Sequence, residues 1–234
     1  MSCVSEAEVL EALSGVRDPE LDEPVTSLGF VSRIERKGDA VSVRLRLPTY
    51  FCSPNFAYIM AEDAKRALLS LPRVERAEVT LEEFHVAEEI NRGVREEAGF
   101  DRAMASFSDE TTGEDLDAVR ETFRKKAFIR RQEILCRALM ARGKSPQELS
   151  RMRLGDVPAC RELEVYLERR EELGLDLSPS SPLLLSASGE PIPEEAVVEH
   201  LKKARLTRIS LEGNGALCRD LLEARYRRKE KSSA

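Results

Sequence analysis

The chain has 234 residues, of which 41% are hydrophobic and 34% charged, and a formal net charge of −6. This composition excludes pervasive disorder, and no apolar run approaches the roughly 20 residues that a membrane span needs. The five cysteines are an odd number, widely scattered and without a CxxC pair, so neither a disulfide framework nor a zinc ribbon is indicated. We therefore expect a cytoplasmic protein, in a reducing compartment and without membrane contact.

The first elements along the chain predict a small α/β domain. Ser5 and Glu8 form a capping box ahead of a first helix. Residues 30–35 and 41–47 then flank a short turn as a hairpin, and residues 76–81 alternate as a third strand. A helix with apolar residues at helical spacing lies between the second and third strands. The sheet is predicted to be mixed, with three or more strands.

Cys52 lies where the second strand gives way to this helix. Ser53 is a good N-cap and Pro54 suits the first helical position. Unpaired N–H groups and the helix dipole favour an anion there, so a thiolate at Cys52 could bind metal or act as a nucleophile. The alternative is a small buried residue that fills a strand–helix corner.

The rest of the chain predicts a second, mainly helical domain, which gives an α+β fold class. Residues 106–114 are polar and contain glycine, as expected of a linker between domains at 1–105 and 115–234. A long amphipathic helix, broken at most once, should end at Gly143, and Ser145 should cap a short helix. The other predicted elements are helices at 159–173, 193–204 and 215–227, and a short strand or extended segment at 181–186.

Charge is distributed unevenly along the chain. Residues 1–118 carry 13 basic and 25 acidic side chains, whereas residues 119–170 carry 14 basic and 7 acidic ones. A solvated helix face is the ordinary explanation of such a block. The alternative is a docking surface for an anionic partner.

The first domain resembles the SufT/PaaD-type metal–sulfur cluster assembly family over about residues 5–82. The ordered pieces that carry the resemblance are Val16–Leu21, Leu28–Val31, the strand that leads to Thr49 and Cys52, and Leu71–Val74. The resemblance implies a role in assembling or delivering iron–sulfur clusters or iron. It also implies that Cys52 is the metal-binding thiolate and that Asp18, Glu20 and Thr49 line its pocket.

Three positions depart from the family pattern. Ser27 replaces the usual Asp of a DLG motif, Phe51 replaces the Gly before the cysteine, and Thr49 precedes Cys52 by three residues instead of four. The loop is therefore bulkier than the pattern. His85, near the end of the third strand, is either an additional nitrogen ligand or a surface histidine among acids.

One cysteine cannot hold a cluster alone, because clusters normally take four protein ligands. We therefore expect a transient iron or iron–sulfur site, shared in a homodimer or with a client metalloenzyme or the assembly machinery. A PTYxC turn with a helical extension also resembles accessory proteins of bacterial multicomponent monooxygenases. The helical domain would then bind the client, through Arg130, Arg131 and Arg137 in its basic block.

The alternative function is a DNA-binding regulator. Residues 141–149 are similar to the turn of a helix-turn-helix, and the same region faintly resembles a tyrosine recombinase without its catalytic residues. Acidic residues interrupt the basic block, which argues against a nucleic-acid footprint. No P-loop, GxGxxG, GxSxG or HExxH motif is present, so we do not expect an enzyme.

Overall fold

The computed structural model describes residues 4–105 and 116–232. The described residues combine helices with a three-stranded mixed sheet and a two-stranded sheet, which confirms the predicted α+β class. The helices are α1 (Glu6–Ser14), α2 (Pro54–Leu69), α3 (Ala87–Glu96), α4 (Phe100–Met104), α5 (Leu116–Ala141), α6 (Pro146–Arg151), α7 (Arg161–Glu172) and α8 (Val197–Ser232). The strands are β1 (Arg17–Asp18), β2 (Glu23–Pro24), β3 (Val31–Lys37), β4 (Ala40–Arg46) and β5 (Arg76–Glu82).

The chain forms two compact units. The first unit consists of Met1–Val119 together with Gly213–Ala234, and the second unit is Arg120–Glu212. This grouping differs from the predicted assignment of all of residues 115–234 to one helical domain, because residues 213 onward pack in the first unit. The predicted linker at 106–114 lies outside the described residues.

The larger sheet of the first unit has the order β3-β4-β5. β3 and β4 form the predicted antiparallel hairpin, whose turn contains Gly38 at a φ of 63°. β5 lies parallel to β4, with α2 as the crossover. The side chains of Val41, Val43 and Leu45 alternate toward the core as the sequence predicted, so β4 is the central, best-buried strand.

Two helix starts in the chain are confirmed in detail. The Ser5 hydroxyl accepts from the Glu8 backbone N–H, and the Glu8 carboxylate accepts from the Ser5 N–H. Ser145 and Glu148 make the same reciprocal capping box ahead of α6. Each box satisfies backbone donors that the first helical turn leaves unpaired. The two short helices α3 and α4 were not predicted.

The C-terminal part of α8 completes the core of the first unit. Leu222 is 7% exposed and belongs to the same apolar cluster as the sheet and α2. It packs against Gly29, whose φ is 75°, and a Cβ built on that glycine would lie 3.4 Å from the Leu222 Cδ2. The positive φ, more than the space beside Leu222, favours glycine at this position.

The second unit has its own apolar core around α5 and α7. The centre of that core is polar: the Gln132 amide nitrogen donates to the Tyr166 hydroxyl and to the Leu185 carbonyl, each at 3.0 Å. The predicted extended segment at 181–186 occurs as two isolated β-bridges, at Pro182 and Leu185. The helices predicted at 193–204 and 215–227 are parts of the single helix α8.

No helix among the described residues has an apolar stretch long enough to cross a bilayer.

Candidate functional site

The loop at 47–53 carries Cys52 from the end of β4 to the start of α2. α2 begins at Pro54 after the Ser53 N-cap, although the Ser53 side chain makes no capping hydrogen bond. The Cys52 side chain is partly buried, and its Sγ lies 3.2 Å from the Thr49 Oγ1. The cysteine is thus placed beside a helix N-terminus, and the threonine is its direct neighbour despite the altered spacing between them.

Two residues of this loop, Tyr50 and Phe51, expose their aromatic rings. Phe51 is 78% exposed and Tyr50 is 47% exposed, and their ring centroids are 5.0 Å apart in an edge-to-face arrangement. The His85 ring lies 5.6 Å from the Phe51 ring, and its Nδ1 donates to the Tyr50 carbonyl at 2.9 Å. His85 therefore supports the backbone of the loop that carries Cys52.

Asp18 is buried at the end of β1, directly before the turn to β2. Its side chain is 8% exposed, and its Oδ1 accepts from the Leu21 backbone N–H at 2.9 Å. Burial raises the pKa of Asp18 to about 6, and the nearby Glu20 and Glu23 carboxylates add to the rise. Asp18 thus keeps its proton to a higher pH than an ordinary aspartate. Glu20 is partly buried and accepts from the Asn214 amide at 3.3 Å.

Sequence reasoning missed Cys218, which α8 brings to this region. Cys218 is partly buried against the same apolar cluster as Cys52. Burial raises the pKa of Cys218 to about 11, and the charges of Asp18, Cys52 and Glu20 contribute. Asp18, Glu20 and Cys52 are therefore each within electrostatic range of the Cys218 thiol. Helical spacing from Leu211 to Cys218 and Leu222 signals an inward-facing residue, but it cannot show which core that residue faces.

These side chains do not make a preformed metal site. Among residues 4–105 and 116–232, no three His, Cys, Asp or Glu side chains are arranged to hold a metal ion. Within these ranges, a metal at Cys52 would therefore lack a full set of protein ligands.

The predicted partner-binding arginines of the second unit are placed differently from one another. Arg130 is 6% exposed, so burial leaves it little surface to offer a partner. Arg131 is partly buried, whereas Arg137 is exposed and lines a cavity of about 440 Å³. Lys202 and Arg205 lie on the same cavity, which gives it a basic rim.

Cys136 is a core residue, as its apolar helical face predicted. It is fully buried in α5, and burial raises the pKa of its thiol to about 12. Cys136 is therefore unreactive at neutral pH.

Residues 6–81 match the model of a family described as iron–sulfur cluster assembly protein. A segment of 71 residues is 39% identical to an iron–sulfur cluster carrier protein of Deinococcus radiodurans. The aligned segment is 30% of this chain and 20% of that protein, so the chain matches a minor part of the relative's length. Both comparisons support the cluster-assembly family for the first unit, as the sequence resemblance predicted.

Proposed function

We propose that the protein holds an iron–sulfur cluster, or iron destined for one, and passes it to an acceptor protein. Cys52 is the thiolate that contacts the metal cargo, because soft sulfur donors suit iron–sulfur chemistry. Thr49 orients the sulfur through the 3.2 Å contact between Oγ1 and Sγ. The activity is assembly and delivery, without a catalysed covalent reaction.

One observation carries this proposal: the segment that matches the cluster-assembly family ends in the sheet that positions Cys52. The match covers residues 6–81, and within them the loop at 47–53 presents a partly buried thiol at a helix N-terminus. The exposed rings of Tyr50 and Phe51 beside that thiol supply apolar surface for a protein that approaches the cargo.

Transient binding is compatible with the described part of the chain, in which no three metal-ligating side chains are arranged to hold a metal ion. A carrier must release its cargo, and a site with open coordination positions exchanges ligands more readily than a closed one. The ligands that this chain does not supply would come from the acceptor or from a second copy of the chain. Two departures from the family pattern change this site. Ser27 removes one carboxylate, and Phe51 makes the loop bulkier.

The second unit would dock the client. We assign this role to the basic surface around Arg137, which shares its cavity with Lys202 and Arg205, since Arg130 is buried and Arg131 is partly buried. An iron enzyme such as a multicomponent monooxygenase is the client that the resemblance suggests, in the cytoplasm. The DNA-binding alternative is weaker, because α6 spans only six residues, whereas a recognition helix lies along the major groove.

Anaerobic reconstitution with ferrous iron and sulfide tests this function. The wild-type chain should gain visible absorbance together with bound iron and sulfide, and it should reactivate an added apo-ferredoxin. Cys52→Ser should lose both properties. Cys160→Ser, which removes a partly buried thiol of the second unit, should behave as the wild type. Equal loading of the Cys52→Ser variant and the wild type would refute the role of Cys52.

A further inference from the structure

The C-terminal part of α8 is fastened beside the loop that carries Cys52. The Arg225 Nη1 donates to the carbonyl of Leu47, the first residue of that loop, at 3.0 Å. Its Nη2 donates to the Glu83 carbonyl at 2.5 Å. One residue further along the helix, the Tyr226 ring lies 4.6 Å from the Arg46 guanidinium carbon. The helix is therefore held at the end of β4, next to the thiol loop.

A second set of contacts fastens α8 beside the turn that carries Asp18. The Arg219 guanidinium pairs with the Glu23 carboxylate at 2.6 Å, and the Asn214 amide contacts Glu20 at 3.3 Å. Gly215 permits this approach, since a Cβ there would lie 3.0 Å from the Glu23 Oε1. The helix thus contacts both of the segments that the family resemblance assigns to the metal pocket.

Cys218 lies among these contacts. It precedes Leu222 by one helical turn, so both residues share the face that packs on the first unit. Leu222 is buried there, and Cys218 packs against the same apolar cluster as Cys52. The negative charges of Asp18 and Cys52 both contribute to the raised pKa of the Cys218 thiol. Cys218 therefore lies on α8 between the residues that contact Glu20 and Glu23, and ahead of the residue that contacts Leu47 at the start of the Cys52 loop.

The surroundings of the two thiols favour a cation. Asp18 is buried and forms no ion pair with any described residue, and the Glu20 carboxylate is near enough to raise the pKa of both Asp18 and Cys218. A metal cation near Cys52 and Cys218 would gain from these charges. The raised pKa of Cys218 does not prevent ligation, because a coordinated metal displaces the thiol proton to solvent.

We propose that Cys52 and Cys218 form a two-thiol pocket and that Cys218 is the second protein ligand of the metal cargo. The inference rests on the proposed function and deepens it. Each thiol loses one proton to solvent and donates one sulfur to the metal, with no change in oxidation state. Two thiolates supply half of the four protein ligands of a typical cluster, which leaves two positions for an acceptor.

A trivalent arsenical tests the pairing of the thiols independently of any iron chemistry. Phenylarsine oxide condenses with two nearby thiols to form two As–S bonds and one water. Native protein treated with one equivalent should carry one phenylarsenic group that bridges Cys52 and Cys218, identified by peptide mass spectrometry. The bridge should be absent from Cys52→Ser and Cys218→Ser and unchanged in Cys160→Ser. Modification of each thiol separately in the wild type, without a bridge, would overturn the pairing.

Iron binding then tests the role as ligand. In anaerobic reconstitution, Cys218→Ser should bind iron at least about tenfold more weakly than the wild type. Substitution of a residue that only hydrogen-bonds to a metal ligand already costs about tenfold in metal affinity, and loss of a direct ligand should cost no less. Circular dichroism checks that the variant retains its helical content. Cys160→Ser again serves as the matched control.

The outcomes separate this inference from the function on which it rests. Wild-type loading that Cys52→Ser abolishes and Cys218→Ser leaves unchanged would overturn the second ligand and keep the proposed function. A wild-type chain that takes up no iron would overturn the function and the ligand role together. An arsenic bridge with loss of iron in both serine variants would support both proposals.

Discussion

The two units differ in how their buried charged side chains are paired. In the second unit, Glu133 and Arg208 are both less than 10% exposed, and their side chains pair at 2.6 Å. In the first unit, Asp18 is equally buried, but no described residue forms an ion pair with it. Its carboxylate is stabilised by backbone N–H groups alone, and burial raises its pKa to about 6.

This difference points to the first unit as the place of the proposed metal chemistry. A buried charge with a full set of partners is part of the packing of a core. A buried acid that forms no ion pair with any described residue is costly to keep, and such groups cluster at functional sites. The following predictions test whether the contrast is real.

The largest expected effect concerns thiol reactivity. Burial raises the pKa of Cys136 from 9.0 to about 12, which lowers its thiolate fraction about 1000-fold. Alkylation at pH 7, followed by mass spectrometry, should therefore label Cys52 long before Cys136, and also before Cys160 and Cys218. If the folded protein labels Cys52 no faster than Cys136, the assignment of an accessible thiol at the loop is wrong.

Breaking the paired charge of the second unit should cost the most stability. Arg208→Met leaves the Glu133 carboxylate buried without its partner and should lower the free energy of unfolding by about 3–5 kcal/mol. Adding Glu133→Leu should recover most of that loss. Native-state hydrogen exchange of peptides from residues 120–212 measures both effects. Arg151→Ala, at an exposed pair with Glu194, is the control, with an expected loss of about 0–1 kcal/mol. A double variant as unstable as Arg208→Met would contradict the pairing argument.

Removing the buried charge of Asp18 in the first unit should instead raise the free energy of unfolding. Because the pKa of Asp18 is raised in the fold, the unfolded chain releases its proton first, and stability falls as the pH rises from about 4 to about 6. Asp18→Asn should remove that loss and gain up to about 3 kcal/mol at pH 7. Urea unfolding at pH 4 and pH 7 measures the change.

The exposed Asp39 provides the control for this substitution. Its hydrogen bond and ion pair with Arg76 lower the pKa of its carboxyl, so Asp39→Asn should not stabilise the protein. An Asp18→Asn variant that is less stable than the wild type at pH 7 would show that the ionised carboxylate has a partner in the native protein.

The smallest expected effect is a pH dependence of the second unit. Burial, with the nearby Lys203 charge, lowers the pKa of His200 from its ordinary value of 6.5, and the ring contacts the Gln132 amide oxygen at 2.5 Å. The unfolded chain therefore binds the proton more readily, and stability should fall as the pH drops below about 6.5. His200→Gln should flatten this dependence in hydrogen exchange between pH 8 and pH 5. Parallel profiles for variant and wild type would exclude His200 as the titrating group.

Local patterns predicted the first unit well because its signals are short-range. The hairpin around Gly38, the capping box at Ser5 and the strand–helix junction at Cys52 each depend on a few neighbouring residues. The same is true of the resemblance to the cluster-assembly family. The contact between Thr49 and Cys52 depends on the shape of the loop. The shorter spacing between the two residues therefore could not predict whether they meet.

Long-range packing limited the other predictions. Nothing local indicates that residues after Gly213 pack on a sheet more than 130 positions earlier, so Cys218 was not recognised. The burial of Arg130 was likewise hidden, because a charge-rich helix with basic residues on several faces does not show which of them points inward. The helices predicted at 193–204 and 215–227 were separated by the glycines Gly213 and Gly215, which α8 tolerates.

The first unit is built from two separate parts of the chain, and this affects when it can fold during synthesis. Residues 4–105 emerge from the ribosome well before residues 213–226, which supply Leu222 to their core and Arg225 to the end of β4. Since domains generally fold as units, the nascent first unit stays incomplete until the whole second unit has been translated. Until then the loop that carries Cys52 lacks the hydrogen bond from Arg225 to the Leu47 carbonyl. A chaperone or a metal donor therefore meets a different surface on the nascent chain than on the finished protein.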